Sequence, residues 1–434
     1  GFRRMEVAKF LVKNSGPLVG EVTISGSKNA VLPIMAAALL TDEVCNIMDV
    51  PKLRDVDVMC NILGRSGANV REDYKNNQVF IEAREITENE APYALVKKMR
   101  ASVLLMGPLL ARTGKAKMPL PGGCAIGARP IDLHLKGFAA LGAKIVEERE
   151  KGYVEAIAED GLVGCNLYLD FPSVGATENI MMAAVLAKGT TVIENVAEEP
   201  EIVDLANFLN KMGARIKGAG TDTIKIEGVE RLSGARHSVI PDRIETGTFM
   251  VAAAITRGDL LIKNALPDHV KPIIAKLKEC GVVIEDGFDG LRVRGDLNPL
   301  VATDIKTLPY PGFPTDMQSI FMAFLATTEG RSSIIETVFE NRFMHVAELE
   351  RMGANIETED RKAVVTGPTK LVGAKVLATD LRAGAAVVLA GLVASGETEV
   401  SEIYHIERGY ENFIEKFRSI GAQIERMEER LKEG

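Results

Sequence analysis

The chain has 434 residues, 46% hydrophobic and 26% charged, a composition typical of a globular protein large enough for two or three domains. Its formal net charge of −8 excludes the global positive field of a nucleic-acid-binding protein, so any cations that hold an anionic ligand must be gathered locally. No apolar run approaches the roughly 20 residues of a membrane span, and no membrane partner is expected.

Cysteine and histidine usage bears on compartment and on metal binding. The five cysteines are scattered and form no CxxC pair, and the five histidines form no HExxH motif. This pattern argues against a disulfide framework and against a metal centre. It predicts a cytoplasmic protein that uses neither a metal nor a cofactor.

The loop over residues 119–130 is the strongest candidate for chemistry. It reads PLPGGCAIGARP and places Cys124 among prolines and glycines, with cations before it and Arg129 after it. Reactive cysteines occupy electropositive, partly exposed segments of this kind, whereas structural cysteines more often lie inside apolar elements. We therefore predict that Cys124 is reactive, and that the other cysteines are small buried residues, namely Cys45, Cys60, Cys165 and Cys280.

An internal repeat accounts for nearly the whole chain. The phrase Gly-Ala-x-Ile, or a close variant, recurs six times at spacings of 68 to 75 residues. Repetition at a fixed period indicates repeated supersecondary units. The glycines of the six phrases are Gly67, Gly142, Gly213, Gly281, Gly353 and Gly421.

Residues 176–216 show what one repeat predicts. An apolar helix ends at Gly189, and the β-branched stretch 190–194 follows as a strand. A second helix starts at Pro200 and closes before Gly213, where another strand opens. A further strand then forms a hairpin with this one, so each repeat is predicted to be a βαβαββ unit. Such an α/β unit must pack against others to bury its apolar faces.

Six such units could form a solenoid or two lobes of three. Residues 249–255 and 385–394 are apolar on all sides, which places them in the middle of a core and favours lobes. A break near 239–241 divides the repeats three and three. The segment up to about Thr23 precedes the first helix and is expected to pair with the C-terminal lobe, so two strands would join the lobes as a hinge. The predicted domains are 24–240, which carries the cysteine loop, and 1–23 together with 241–434.

Six longer motifs resemble the signatures of one family. They are residues 25–30, 121–124, 313–318, 339–343, 378–382 and 404–410. Together they are similar to the UDP-N-acetylglucosamine enolpyruvyltransferases, over about residues 14–427. The resemblance implies an α/β fold of two inside-out α/β barrel lobes, each with three βαβαββ units, and an active site in the cleft between them.

The resemblance also implies the reaction. Members of the family transfer the enolpyruvyl group of phosphoenolpyruvate to the 3′-hydroxyl of UDP-N-acetylglucosamine and release phosphate, through a tetrahedral phospholactoyl intermediate. This is the first committed step of peptidoglycan biosynthesis, on which cell shape and division depend. The implied partners are these two substrates, with fosfomycin as a covalent inhibitor at Cys124.

The same resemblance assigns catalytic roles. Cys124 would be the general acid that protonates the methylene carbon, and Asp316 the base that accepts the hydroxyl proton. Asp380 would be a second carboxylate that orients groups in the site and shares in proton transfer. Both carboxylates also stand at predicted helix starts, where an N-cap role is the alternative. Lys28 and Arg408 complete the catalytic set.

Substrate binding is assigned in the same way. Arginine suits a ligand with a phosphate and a carboxylate, because its planar fork contacts each group bidentately. The implied cations are Lys28, Arg100, Arg129, Arg342, Arg382 and Arg408. The other implied substrate contacts are Asn29, Pro130, Ile131, Asp132, Leu133, His134, Ser173, Val174, Gly175, Thr315, Asp316, Val338 and Leu381. Phe171 and Pro172 stand where some relatives carry a basic residue, which puts the nucleotide affinity in question.

Two rival functions stay open. Enolpyruvyl transfer to shikimate 3-phosphate would use the same fold and donor, but the cysteine loop and motifs 313–318 and 339–343 favour the UDP-sugar branch. A non-catalytic homologue would be expected to lack a catalytic residue, whereas Cys124, Asp316, Lys28 and Arg408 are all present.

Overall fold

The computed structural model describes residues 7–120, 131–287 and 289–429. It divides into two compact units, a central unit, Gly26–Ile240, and a terminal unit, Gly1–Ser25 with Pro241–Gly434. Each unit has a hydrophobic core of its own. Three of the predicted site residues, Cys124, Arg129 and Pro130, lie outside the described residues.

Two N-terminal strands belong to the terminal unit. Strand β1 (Val7–Lys13) lies antiparallel between residues 397–400 and residues 423–429. Strand β2 (Val19–Thr23) runs parallel to residues 259–263. The N-terminus of the chain therefore completes sheets whose other strands come from the C-terminal half.

The central unit contains seven helices and eleven strands among its described residues, with 3₁₀ turns at Ala38–Leu40 and Arg100–Leu105. In chain order they are α1 (Lys28–Ala37), β3 (Val44–Met48), α2 (Arg54–Arg65), β4 (Asn69–Asp73), β5 (Gln78–Glu82), α3 (Tyr93–Val96), α4 (Met106–Thr113), β6 (Lys115–Pro119), α5 (Asp132–Ala140), β7 (Lys144–Glu148), β8 (Tyr153–Ile157), β9 (Asn166–Tyr168), α6 (Val174–Ala184), β10 (Thr190–Glu194), α7 (Pro200–Lys211), β11 (Arg215–Lys217), β12 (Thr223–Glu227) and β13 (Arg236–Ser238).

The terminal unit continues from residue 241, with 3₁₀ turns at Pro267–His269 and Thr315–Met317. Its elements are α8 (Arg243–Ile255), β14 (Asp259–Lys263), α9 (Lys271–Glu279), β15 (Val283–Gly287), β16 (Gly290–Arg294), β17 (Ile305–Lys306), α10 (Gln318–Leu325), β18 (Gly330–Ile335), α11 (Met344–Arg351), β19 (Asn355–Glu359), β20 (Lys362–Gly367), β21 (Lys375–Leu377), α12 (Leu381–Val393), β22 (Glu397–Ser401), α13 (Tyr404–Glu407), α14 (Phe413–Ser419) and β23 (Gln423–Glu429).

Among the described residues, each unit holds three small sheets, one for each repeat. Five have four strands, in the orders β13-β3-β5-β4, β11-β12-β10-β9, β15-β16-β14-β2, β17-β18-β20-β19 and β21-β22-β1-β23. In each, the first two strands of the repeat run parallel and the remaining pairs run antiparallel. The sixth sheet, β6-β8-β7, has three strands, because its first strand is reduced to a bridge between Glu90 and Lys117. The predicted six βαβαββ units, three in each half of the fold, are confirmed.

The first helix of each repeat lies inside its unit. Every residue of α10 is buried, as are residues 176–184 of α6, 244–255 of α8 and 382–392 of α12. The strands alternate between buried and exposed residues, so the sheets cover the helices and face water on one side. Helices apolar on all sides fit only such an interior, which is the inside-out arrangement that the resemblance implied. Within the described residues, no helix is long and apolar enough to cross a membrane.

The six repeat glycines all end the second helix of their repeat in the same way. Their φ angles lie between 96° and 111°, a region of backbone conformation that residues other than glycine rarely adopt. After each glycine, the next N–H donates to the carbonyl five residues earlier, as in Ala214 N to Leu209 O at 3.0 Å. This is the Schellman motif, which satisfies otherwise unpaired helix carbonyls. The recurring phrase is therefore a helix stop.

Replacing Gly213 by alanine is expected to lower the free energy of unfolding of the central unit by about 1 kcal/mol. A Cβ at Gly213 would meet no atom within 4 Å, so the cost is that of the positive φ alone. Gly64 is the matched control, because it lies in α2, carries no positive φ, and offers a Cβ equal space. Gly64→Ala should instead raise the unfolding free energy by roughly 0.5–1 kcal/mol. Urea denaturation measures the change in unfolding free energy for both variants. If the two changes have the same sign, Gly213 does not end its helix through its positive φ.

The chain leaves the terminal unit after Ser25, and hydrogen bonds hold that residue in place. The N–H of Ser25 donates to Glu245 Oε1 at 2.8 Å, and its carbonyl accepts from Asp242 N at 2.9 Å. Lys416 Nζ lies 2.8 Å from the same Glu245 oxygen and donates to Ser25 Oγ at 2.6 Å. A buried carboxylate, paired with a lysine, thus anchors this end of the connection.

The return connection is held by an equivalent arrangement in the central unit. The N–H of Ile240 donates to Asp204 Oδ2 at 3.2 Å, and its carbonyl accepts from Ser27 N at 2.8 Å. Asp204 Oδ1 lies 2.8 Å from His237 Nε2, and Lys211 Nζ lies 2.9 Å from His237 Nδ1. In both units a buried carboxylate binds the last N–H before the chain crosses.

Candidate functional site

An ion pair between Asp316 and Arg342 marks the candidate site of the terminal unit. Asp316 lies in the 3₁₀ turn before α10, and Arg342 precedes α11. Arg342 Nη2 donates to Asp316 Oδ1 at 2.9 Å, while its Nη1 donates to Thr315 Oγ1 at 2.9 Å. Asp316 makes no capping hydrogen bond at this turn, since Pro314 is the N-cap residue. Its carboxylate therefore faces arginine and not the helix backbone.

The surroundings of Asp316 keep it ionised. Burial alone would raise the pKa of its carboxyl group. The charges of Arg382 and Arg342, the hydrogen bond from Arg342 and the charge of Arg243 together outweigh burial and lower that pKa below its usual value. The side chain is still 34% exposed, so a ligand can reach it.

Asp380 caps a helix, the alternative role that the sequence left open for both Asp316 and Asp380. It is the N-cap of α12, and its Oδ1 accepts from the N–H groups of Arg382 and Ala383 at 2.9 and 2.8 Å. Such a cap stabilises a helix by about 1 kcal/mol. Capping occupies one oxygen of Asp380 and fixes the backbone that carries Arg382.

Arg382 is a deeply buried cation. Its side chain lies 5.1 Å from the ring centre of Tyr410, whose hydroxyl lies 2.7 Å from Thr248 Oγ1. Burial would lower the pKa of Arg382, but Tyr410, Asp316 and Asp242 raise it above its usual range, so the charge is permanent. Within the described residues, Arg382 Nη1 is buried without a hydrogen-bond partner. A buried donor left unpaired is costly and suits an anionic ligand.

In the central unit, Lys28 lies at the start of α1. Ser27 caps this helix, and Lys28 Nζ donates to Asp55 Oδ2 at 3.1 Å. Asp55 is buried in the first turn of α2. Sequence reasoning singled out Lys28 but missed Asp55, whose one signal was a carboxylate at a helix start.

His134 lies in α5 against the N-terminus of α6. Its Nε2 would be 3.3 Å from a Cβ placed on Gly175, one residue into that helix, and Ser173 caps the helix. The structure thus brings together four predicted substrate contacts, His134, Ser173, Val174 and Gly175. A helix N-terminus presents free N–H groups that favour phosphate oxygens.

Asn179 determines which nitrogen of His134 carries the proton. Gly107 N donates to Asn179 Oδ1 at 2.6 Å, which fixes the orientation of the amide. The amide NH₂ then donates to Val103 O and to His134 Nδ1, each at 2.9 Å. With Nδ1 accepting, the neutral ring carries its proton on Nε2, beside Gly175. Asn179 is a second residue that sequence reasoning missed.

His134 is expected to stay neutral across the physiological range, because burial lowers the pKa of its imidazole to about 4. The unfolded chain binds a proton near pH 6.5 and the folded chain does not, so the stability of the central unit should fall as pH drops from about 6.5 towards 4. NMR titration of the ring should show an Nε2–H tautomer with no midpoint near 6.5. A midpoint like that of the urea-unfolded protein would contradict this assignment.

The remaining predicted residues are placed as follows. Lys28, Leu133 and Val338 are half-buried, Ile131 is buried, and Leu381 opens α12. Asn29, Arg100, Asp132 and Arg408 are exposed. Among the described residues, no group of three or more metal-ligating side chains is arranged to hold a metal ion.

Comparison with known proteins gives the family. The family model for EPSP synthase (3-phosphoshikimate 1-carboxyvinyltransferase) matches residues 12–417. A UDP-N-acetylglucosamine 1-carboxyvinyltransferase 1 of Caldanaerobacter subterraneus subsp. tengcongensis is 62% identical, over 96% of this chain and 99% of that protein. The UDP-N-acetylglucosamine 1-carboxyvinyltransferase of Finegoldia magna is 58% identical, over 98% and 99%.

Solved structures agree on the fold. The enolpyruvyl transferase NikO from Streptomyces tendae superposes with a TM-score of 0.88 at 25% identity, covering 98% of this chain and all of that one. An EPSP synthase from Acinetobacter baumannii gives 0.80 at 19% identity, over 97% and 100%. The predicted fold and the family resemblance are both confirmed, and the chain belongs to the UDP-N-acetylglucosamine 1-carboxyvinyltransferases, within the EPSP synthase family.

Proposed function

We propose that this protein transfers the enolpyruvyl group of phosphoenolpyruvate to the 3′-hydroxyl of UDP-N-acetylglucosamine and releases phosphate, as the first committed step of peptidoglycan biosynthesis. The observation that carries the proposal is identity of 56–62% to proteins named for this activity, over 96–98% of the chain. The paired Asp316 and Arg342 and the buried Arg382 support it, because the reaction needs a base beside cations that hold an anionic donor.

The proposed chemistry is an addition followed by an elimination. Cys124 donates a proton to the methylene carbon of phosphoenolpyruvate, while the sugar hydroxyl attacks the adjacent carbon and gives its proton to Asp316. Loss of a proton from the new methyl group, with departure of phosphate, then restores the double bond. The cationic side chains of the site stabilise the phosphate as it leaves, and Lys28 and Arg408 are among these cations.

The low pKa of Asp316 fits this order of events. In the free protein the carboxylate is ionised and so able to accept a proton, but its surrounding cations make it a weak base. An anionic donor bound to Arg342 and Arg382 would offset those charges and raise the proton affinity of Asp316. Binding of phosphoenolpyruvate would thus make Asp316 a stronger base for the hydroxyl proton of UDP-N-acetylglucosamine.

The diphosphate of the nucleotide sugar is assigned to the N-terminus of α6. There the free N–H groups after Ser173 and the Nε2–H of His134 are neutral donors close together. We assign Asn29, Thr315 and Val338 to the sugar, and the run 129–133 to the uridine.

The deciding experiment measures phosphate release from phosphoenolpyruvate with two acceptors in parallel, UDP-N-acetylglucosamine and shikimate 3-phosphate. Release with the nucleotide sugar alone is expected. Release with shikimate 3-phosphate would assign the chain to the other reaction, and release with neither would indicate a non-catalytic homologue.

Two further assignments accompany this function. The described cysteines, Cys45, Cys60, Cys165 and Cys280, are all free, which agrees with a reducing compartment, and we assign the protein to the cytoplasm. We also assign Cys124 as the thiol that fosfomycin alkylates, and its selectivity is open to direct test.

A further inference from the structure

Glu336 is a buried carboxylate to which no role has been assigned. It follows directly on β18 and is 1% exposed. Its Oε2 accepts from Thr307 Oγ1 at 2.7 Å and from Val338 N at 3.0 Å. Its Oε1 accepts from Thr315 Oγ1 at 2.7 Å and from Gln318 Nε2 at 3.3 Å. This many donors around one carboxylate organises several segments at once.

The direction of these hydrogen bonds is determined by their other partners. Thr307 Oγ1 accepts from Thr337 N at 3.0 Å, and Thr315 Oγ1 accepts from Arg342 Nη1 at 2.9 Å. Each hydroxyl has one proton, which is left to donate to Glu336. Glu336 therefore accepts on both oxygens.

Two paths lead from Glu336 to Arg342. Through the hydroxyl of Thr315, the carboxylate holds Nη1 of the guanidinium. Through the amide of Gln318, which also donates to Arg342 O at 2.9 Å, it holds the backbone of the same residue. With both ends of Arg342 held, Nη2 is directed to Asp316 at 2.9 Å.

We infer that Glu336 is a positioning residue for enolpyruvyl transfer, which fixes the guanidinium of Arg342 beside Asp316 before substrates bind. The inference rests on the proposed roles of Arg342 and Asp316. It adds that the geometry of this pair depends on a carboxylate that touches neither substrate. A misplacement of about 1 Å in such a group can cost roughly 100-fold in rate.

The consequence to measure is the titration of Asp316. Its pKa is lowered by arginines from three segments, and releasing one of them should move it upwards. The groups that act on Asp316 are Arg342 before α11, Arg382 in α12 and Arg243 in α8, with Asp242 and Tyr410 acting on Arg382. Arg342 and Asp380 also act on the buried His345 of α11.

The test compares three variants of the full chain, Glu336→Gln, Thr315→Val and Thr307→Val. Thr315→Val removes the hydroxyl that links Glu336 to Arg342, and Glu336→Gln sets an NH₂ group against donors that now face a carboxylate oxygen. In both variants kcat/KM for phosphoenolpyruvate should fall roughly 10- to 100-fold, and the acid limb of its pH profile should rise by about one unit. Thr307→Val removes an equally short hydrogen bond, but to Glu336 Oε2, the oxygen that does not lead to Arg342. The acid limb of this variant should lie at the same pH as that of the wild type. Thr315→Ser keeps the hydroxyl that links Glu336 to Arg342. Because Thr315 is also assigned to the sugar, only the acid limb is compared, and it should coincide with that of the wild type whatever the KM for the nucleotide sugar.

The outcomes separate the possible failures. If Thr307→Val and Thr315→Val lose stability alike and neither moves the acid limb, Glu336 is only structural and the inference is wrong. If Thr315→Ser moves the acid limb as far as Thr315→Val does, the hydroxyl is not the link and the inference is also wrong. If the wild-type protein itself releases no phosphate with UDP-N-acetylglucosamine, the proposed function has failed instead.

Discussion

Replacement of Asp316 by asparagine is expected to lower kcat by about 10²- to 10⁴-fold, the usual contribution of a general base. Asparagine keeps the shape of the side chain and can still accept a hydrogen bond from Arg342, so the fold should be unchanged. It has no proton affinity at neutral pH, so the sugar hydroxyl would lose its proton to no nearby group. The dissociation constant of UDP-N-acetylglucosamine, measured by calorimetry, should stay within about two-fold because the base acts mainly in the transition state.

The control for Asp316→Asn is Asp296→Asn. Asp296 also pairs with an arginine of the terminal unit, Arg294 at the end of β16, at 3.0 Å, and both side chains of this pair are partly exposed. Exposed ion pairs contribute little to stability, and this one has no role in the site, so kcat should be that of the wild type. A kcat within ten-fold of the wild type for Asp316→Asn would remove Asp316 as the base.

The fold could be predicted from the sequence because the repeat depends on local chemistry. A glycine that ends a helix in the Schellman conformation is a requirement of the backbone at that point, and it recurs wherever the unit recurs. Residues 249–255 are apolar on every side, which decided between lobes and a solenoid, and the structure buries all of them. Neither inference needs knowledge of distant contacts.

The candidate site was only partly predictable because its partners are brought together by tertiary structure. Asp316 and Asp380 look alike in sequence, since each stands at a predicted helix start. Asp380 caps its helix and Asp316 does not, because Arg342 comes from another segment and holds the carboxylate of Asp316. No local pattern contains that information.

The other site residues were missed for the same reason, because tertiary structure alone brings them to their partners. Asp55 holds Lys28 from a different helix, Asn179 orients His134 across 45 residues, and Glu336 reaches Arg342 through Thr315. Each acts on a residue that was identified, and none belongs to a recognisable chemical motif. The groups that orient a site are therefore harder to find from sequence than the groups that act in it.

Alkylation of the folded protein is expected to modify Cys124 alone, and Cys124→Ser is expected to lower kcat by about 10²- to 10⁴-fold. Only a thiolate reacts readily, and the other cysteines are poorly ionised. Burial raises the pKa of Cys45 to about 11 and that of Cys280 to about 12. Burial, with Glu72, also raises the pKa of Cys60, and burial raises that of Cys165.

Mass spectrometry after treatment with fosfomycin, and separately with iodoacetamide at pH 8, measures this selectivity. Wild-type protein should take up one equivalent of each reagent, and Cys124→Ser none, whereas urea-unfolded protein should expose all five thiols to iodoacetamide. Cys165→Ser is the matched control, because Cys165 is the one half-buried thiol among the described cysteines, and the variant should keep both labelling and turnover. Label on Cys165 would contradict the predicted selectivity. Normal turnover of Cys124→Ser would exclude Cys124 as the general acid, because a proton donor in the transition state cannot be dispensable.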